Sequence, residues 1–168
     1  MKSAAKRTGL LGILAALALA LSFLEGLLPP LPMTPPGFKV GLSNIVSMFA
    51  AGSLGLPYAL FLALFKGGFA FLTRGVAAGL MSLSGAVLST LCVWALLTKT
   101  KLSFLLIGVC GAMAHNAAQL FCAWVLTAHA ALLYIPALVL FGTLSGLLTG
   151  TILKLVLPLL QKAFPNTH

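Results

Sequence analysis

The chain contains no aspartate and one glutamate, Glu25, against ten lysines and arginines in 168 residues. Paired-carboxylate acid–base catalysis is therefore excluded. Hydrated Mg²⁺ is normally held through carboxylates, so a site for Mg²⁺-diphosphate chemistry has almost nothing to be built from. Charge of both signs is scarce as well: charged residues are 7% of the chain and hydrophobic residues 61%. A soluble domain could not cover its surface with this inventory, so the chain reads as an integral membrane protein. Also lacking are a C-x-x-C pair, a G-x-x-x-x-G-K-[ST] loop, an internal repeat and the alternating ten-residue segments of an outer-membrane barrel. Redox, ATP-binding and inverted-repeat transporter readings lose their usual signatures. No cofactor and no metal site is expected.

What is present is apolar and small. Phe occurs 11 times and Gly 17 times, which suits helices packed closely in lipid. The expected fold is a single all-α domain over residues 1–168, a bundle of six transmembrane helices. They are predicted near Leu10–Leu28, Val40–Leu54, Tyr58–Leu72, Val76–Leu97, Phe104–Ala128 and Leu132–Leu160. The second and third are short for full spans and are expected to be tilted, partly unwound or sunk in the protein. Between the first two lies Pro29-Pro30-Leu31-Pro32-Met33-Thr34-Pro35-Pro36-Gly37, which cannot be helical throughout because proline removes donors and restricts the residue before it. Lys2, Lys6 and Arg7 before an apolar run resemble a secretory signal. The run continues to Leu28, past the Ala18-x-Ala20 that could pass as a cleavage site, so a retained first helix is expected.

Six crossings put both termini in the cytoplasm. Lys2, Lys6, Arg7, Lys99, Lys101, Lys154 and Lys162 then lie inside, seven of the ten basic residues. That distribution explains the net charge of +9 without a nucleic-acid partner. It leaves Lys39, Lys66 and Arg74 on the outer half or within the membrane. Cys92, Cys110 and Cys122 lie inside apolar runs and read as small buried hydrophobes.

Four constellations are candidates for function. Lys39 opens the second helix, and Ser43 and Asn44 follow within its apolar stretch; Asn44 must find a partner there, in another helix or in a ligand. Lys66 sits mid-segment, where an ammonium needs a counter-charge, carbonyls, water or a ligand, and Arg74 eight residues on is an interfacial anchor or a second anion contact. His115, Asn116 and Gln119 crowd one stripe of the fifth helix, lining a ligand site or bonding neighbouring helices. Gly12-x-x-x-Ala16-x-x-x-Ala20 forms a small-residue ridge on the first helix, which packs within the chain or receives a partner. One acid cannot pair three bases, so a small anionic substrate is the natural complement. Lys39, Asn44, Lys66, Arg74, His115, Asn116 and Gln119 are expected to converge on one outward-opening cavity.

Pro36–Asn44 (Pro-Gly-Phe-Lys-Val-Gly-Leu-Ser-Asn), Leu83-Ser84-Gly85 and Ala114-His115-Asn116-x-x-Gln119, in this order and spacing, resemble the heptaprenyl diphosphate synthase component I family, also called the Gx transporter family. The resemblance runs over nearly the whole chain. The family is grouped with the substrate-binding S components of energy-coupling factor (ECF) importers. That implies a six-helix membrane bundle in the cell membrane, a pocket opening outward, and small residues on helix 1 contacting a transmembrane coupling subunit. ATP would be hydrolysed by separate ATPases. Gly12, Ala16 and Ala20 fit that pattern, although Gly12 departs from an all-alanine version. The family's other name implies a noncatalytic membrane component beside a separate prenyl synthase, in menaquinone-precursor synthesis. With no Asp for the Mg²⁺-binding motifs of such synthases, this chain is not expected to be the enzyme.

Overall fold

The computed structural model describes residues 2–27, 41–127 and 133–163, with side chains described within 7–27, 41–126 and 133–159. These residues form six α-helices and no strand. They are α1 (Lys2–Leu27), α2 (Asn44–Ser53), α3 (Leu56–Arg74), α4 (Val76–Lys99), α5 (Phe104–Thr127) and α6 (Ile135–Ala163). Five are long and apolar enough to cross a membrane: α1, α3, α4, α5 and α6. The chain is a membrane-embedded helical bundle.

The second helix is short, as expected, and shorter than its predicted bounds. It was expected over Val40–Leu54, but α2 has 10 residues, about 15 Å at 1.5 Å per residue, half the hydrocarbon thickness. Gly41 sets its start. With φ at +87°, this residue turns the chain in a way that L side chains resist. Its carbonyl accepts the Asn44 N–H at 2.9 Å.

The other helices differ from expectation at their ends. Lysine, alanine and arginine favour helix, so α1 extends back to Lys2. Pro57 lies in the first turn of α3, where no N–H is needed, and that helix reaches from Leu56 to Arg74. Gly55 (φ +92°) and Gly75 (φ +86°) make the tight reversals on either side of it.

The bundle wraps around α2, which packs against α1, α3, α4 and α6. All of α2 but Ile45 and Gly52 is buried. Val46, Met48, Phe49 and Ala50 meet Leu10, Leu14 and Ala18 of α1, Leu62 of α3, Val93 of α4 and Leu153 of α6 in one apolar cluster. Lipid is as apolar as leucine, so close van der Waals contact rather than burial from water holds such helices together. The closest approach is between α5 and α6. A Cβ on Gly108 would lie 2.4 Å from the Gly146 carbonyl oxygen, and one on Gly150 would lie 2.6 Å from that of Phe104. The ridge Gly142-x-x-x-Gly146-x-x-x-Gly150 on α6 is what lets the two backbones touch.

Candidate functional site

The turn leading into α2 is held from two sides. From α1, Glu25 accepts the Leu42 N–H at 2.6 Å, the Ser43 hydroxyl at 3.1 Å and the Ser43 N–H at 3.5 Å. From α3, the Lys66 ammonium donates to Asn44 Oδ1. Glu25 is 6% exposed and Lys66 2%. The first amides of a helix carry partial positive charge and need acceptors, and here the chain's one acid supplies them. Sequence reasoning treated Glu25 as a possible counter-ion for the buried cations. Among the described residues its hydrogen bonds are to the backbone and hydroxyl at the start of α2, while its charge also acts favourably on Arg74.

Asn44 joins this clasp to a polar cluster at mid-depth. Lys66 is ten residues from Leu56 and eight from Arg74 along α3, and His115 is eleven from Phe104 and twelve from Thr127 along α5. Gly41, Asn44, Met48, Ser89, Ala112, His115, Asn116, Ser145 and Thr149 line a cavity of about 10 Å³, room for about one water molecule. The His115 ring lies against Gly85 of α4, where a Cβ would come within 2.7 Å of Cε1. Asn116 Nδ2 donates to the Leu138 carbonyl of α6 at 2.9 Å. Gly142 opens the space for that amide, since a Cβ there would lie 2.5 Å from Nδ2.

The remaining expected site residues are placed as follows. Gln119 is buried one turn from His115, at 2% exposure, but is not on the cavity wall. Among the described residues, His115 Nδ1, which lies beside the Gly85 backbone, and Gln119 Oε1 are buried without a well-formed hydrogen bond, as are Ser47 Oγ and Thr90 Oγ1 elsewhere in the core, a costly condition for polar atoms inside a bundle. Arg74 lines a different cavity of about 190 Å³, with Ser22, Phe23, Gly26, Leu27 and Thr73, where α1 and α3 end. Asn44, His115 and Asn116 thus share one cavity, Lys66 stands one hydrogen bond behind it, and Arg74 does not join them. Lys39 lies outside the described residues. Sequence reasoning missed Ser89, Ser145 and Thr149 on the cavity wall. Their signal was a hydroxyl facing inward from an apolar run, weak because Ser and Thr are common in membrane helices.

The ridge on α1 has a plain position. Gly12, Ala16 and Ala20 are exposed, opposite the buried Leu10, Leu14, Ala18 and Ser22. A Cβ on Gly12 would meet nothing within 4 Å. Among the described residues the ridge is not an internal packing surface.

Residues 14–156 match the family model of heptaprenyl diphosphate synthase component I. The chain belongs to that family. No curated protein and no solved structure matches it. The matched span of this component I family member takes in Glu25, the α2 clasp, the central cavity and most of the α1 ridge.

Proposed function

We propose that this member of the component I family is a substrate-capture subunit in the cell membrane, working as the S component of an ECF-type importer. Both termini lie in the cytoplasm, which requires the passage from α1 to α3 through α2 to complete a sixth crossing beside the five long helices, and the bound molecule is small and anionic. The observation that carries the reading is the burial of Asn44, Lys66, His115, Asn116 and Gln119 in one region of the bundle, where His115 Nδ1 and Gln119 Oε1 have no well-formed hydrogen bond among the described residues. Polar side chains that only join helices are expected to satisfy one another. The anionic preference is supported by the excess of ten basic residues over one acid and by the Lys66 ammonium beside Asn44.

A cavity of about 10 Å³ admits no organic ligand as it stands, and the element proposed to move on loading is the turn at 41–44. That turn is fastened by the side chains of Glu25 and Lys66, which are easier to exchange than helix backbone. The exposed ridge of Gly12, Ala16 and Ala20 supports docking of a transmembrane coupling subunit, with ATPases beneath it.

A second reading is favoured by the family's name. Component I implies a second, enzymatic component, and the chain would then be its noncatalytic membrane partner. Native mass spectrometry of the purified protein tests the first reading. A co-purified small anion is expected, held about tenfold or more weaker by Lys66→Met, because a hydrogen bond to a charged group contributes ~1.5–3 kcal/mol. Recovery of a prenyl synthase and no small molecule would favour the second. Labelling of Ser3→Cys or Thr167→Cys from outside intact cells would overturn the topology.

A further inference from the structure

The hydrogen-bond directions around the central cavity are unevenly distributed. Ser145 donates its hydroxyl to the Gly142 carbonyl at 3.2 Å, and Thr149 donates its hydroxyl to the Gly146 carbonyl at 3.1 Å. Each hydroxyl has one hydrogen, so what remains of both toward the cavity is lone pairs. Asn116 has turned its amide nitrogen to the Leu138 carbonyl, which leaves its oxygen as the free end. Asn44 is reversed: its oxygen is held by Lys66, so its nitrogen is the free donor. Ser89, with an unassigned hydrogen, can turn either way. His115 adds an Nδ1 beside the Gly85 backbone, without a well-formed hydrogen bond among the described residues. Three committed acceptors thus face one committed donor.

This arrangement selects its occupant. An anion would meet the lone pairs of Ser145, Thr149 and Asn116. A cation would sit one side chain from the Lys66 ammonium, with no carboxylate on the wall to offset it. A neutral group rich in donors fits. The volume of about 10 Å³ matches one water, and the polar partners exceed the two to four that a buried water needs.

We propose that this cavity is a donor-reading subsite, holding one water in the empty protein and a hydroxyl or N–H of the bound molecule in the loaded one. The second half rests on the substrate-capture reading and narrows it. The molecule is an anion that also carries at least one hydroxyl or N–H, with its charge turned toward Lys66 and the donor group toward α6.

The test uses the full chain in lipid nanodiscs. A structure of the empty protein, at a resolution that shows waters, is expected to place one water within hydrogen-bond distance of Ser145 Oγ and Thr149 Oγ1. A dry cavity or an ion there overturns the proposal. The Ser145→Ala, Thr149→Val double variant removes only hydroxyls bonded within their own helix, so it is expected to fold and to lose the water. Thr149→Ser, which keeps the acceptor, is expected to retain it and controls for packing. In the loaded protein, the compound that co-purifies is expected to carry a hydroxyl or N–H and to be retained about tenfold less by the double variant, the loss of two hydrogen bonds of ~0.5–1.5 kcal/mol each. A compound without such hydrogens, or equal retention by both proteins, overturns it. If no compound co-purifies with the wild type, the capture reading fails and the water alone decides the subsite.

Discussion

Replacing Glu25 tests whether one carboxylate sets where α2 begins. Its contacts at 2.6 Å to the Leu42 N–H and 3.1 Å to the Ser43 hydroxyl are well formed, while the Ser43 N–H at 3.5 Å is at the limit. Hydrogen bonds to a charged group contribute ~1.5–3 kcal/mol each. Counting only the two good ones, at the low end of that range, Glu25→Ala should cost about 3 kcal/mol. Glu25→Gln keeps a carbonyl for the Leu42 N–H, and the Ser43 hydroxyl can rotate to accept from its amide. It should cost about 1 kcal/mol. For a chain of this size 1 kcal/mol corresponds to about 2–4 °C in Tm on the scale of soluble domains, so the alanine variant should melt about 6–12 °C lower and the glutamine variant about 2–4 °C lower. Cys92, Cys110 and Cys122 are free and partly buried, so their reaction with a thiol dye on heating reports unfolding in detergent without added probes. An alanine variant that melts with the wild type would refute the clasp. A glutamine variant as damaged as the alanine one would show that charge, rather than hydrogen-bond geometry, sets the effect.

The remaining expectations concern close contacts. Gly146→Leu should prevent assembly of α5 on α6, since a Cβ there would already lie 2.5 Å from the Val109 Cα; Gly12→Leu, facing open space, should leave the Tm of the isolated chain within about 1 °C, and equal damage from both would contradict the packing. Gly85→Ala should displace the His115 ring, whose Cε1 a Cβ would approach to 2.7 Å. Retention of the co-purified molecule should fall, with a stability cost of about 1–3 kcal/mol; unchanged retention would remove His115 from the site. Ala16→Trp with Ala20→Trp should abolish co-purification with a coupling subunit while the chain stays folded. Survival of that complex would place the docking face elsewhere.

The order of helices was legible because apolar runs and proline–glycine breaks follow directly from the bilayer's thickness. The length of α2 was not. Val40–Leu54 reads as one apolar stretch. What shortens it is the left-handed turn at Gly41 and the capture of Leu42 and Ser43 by a residue 17 positions earlier. A window moved along the chain sees neither the sign of φ nor a contact between helices. Lys66 shows the same limit: its mid-segment position flagged it, but only the fold shows that it meets Asn44 from one side while Glu25 holds the same turn from the other.

The glycines carry information that polarity alone does not. Asn44, His115 and Asn116 each lie where a glycine lacks a side chain: a Cβ would come within 2.8 Å of Asn44 at Gly41, 2.7 Å of His115 at Gly85 and 2.5 Å of Asn116 at Gly142. The nearest obstacle in each case is a polar side chain. At Gly108, Gly146 and Gly150 it is backbone, so those glycines set helix separation. The two groups are indistinguishable in sequence, and Gly142 and Gly146 even share one four-residue ridge. Gly67, Gly79 and Gly111 are recessed as closely against the apolar side chains of Leu83, Phe71 and Val93, so a recess alone is what close packing asks for. What distinguishes the cavity is that three of its wall side chains, Asn44, His115 and Asn116, are polar and are each held in this way. Fixing the orientation of polar groups that share one cavity is what a binding site needs.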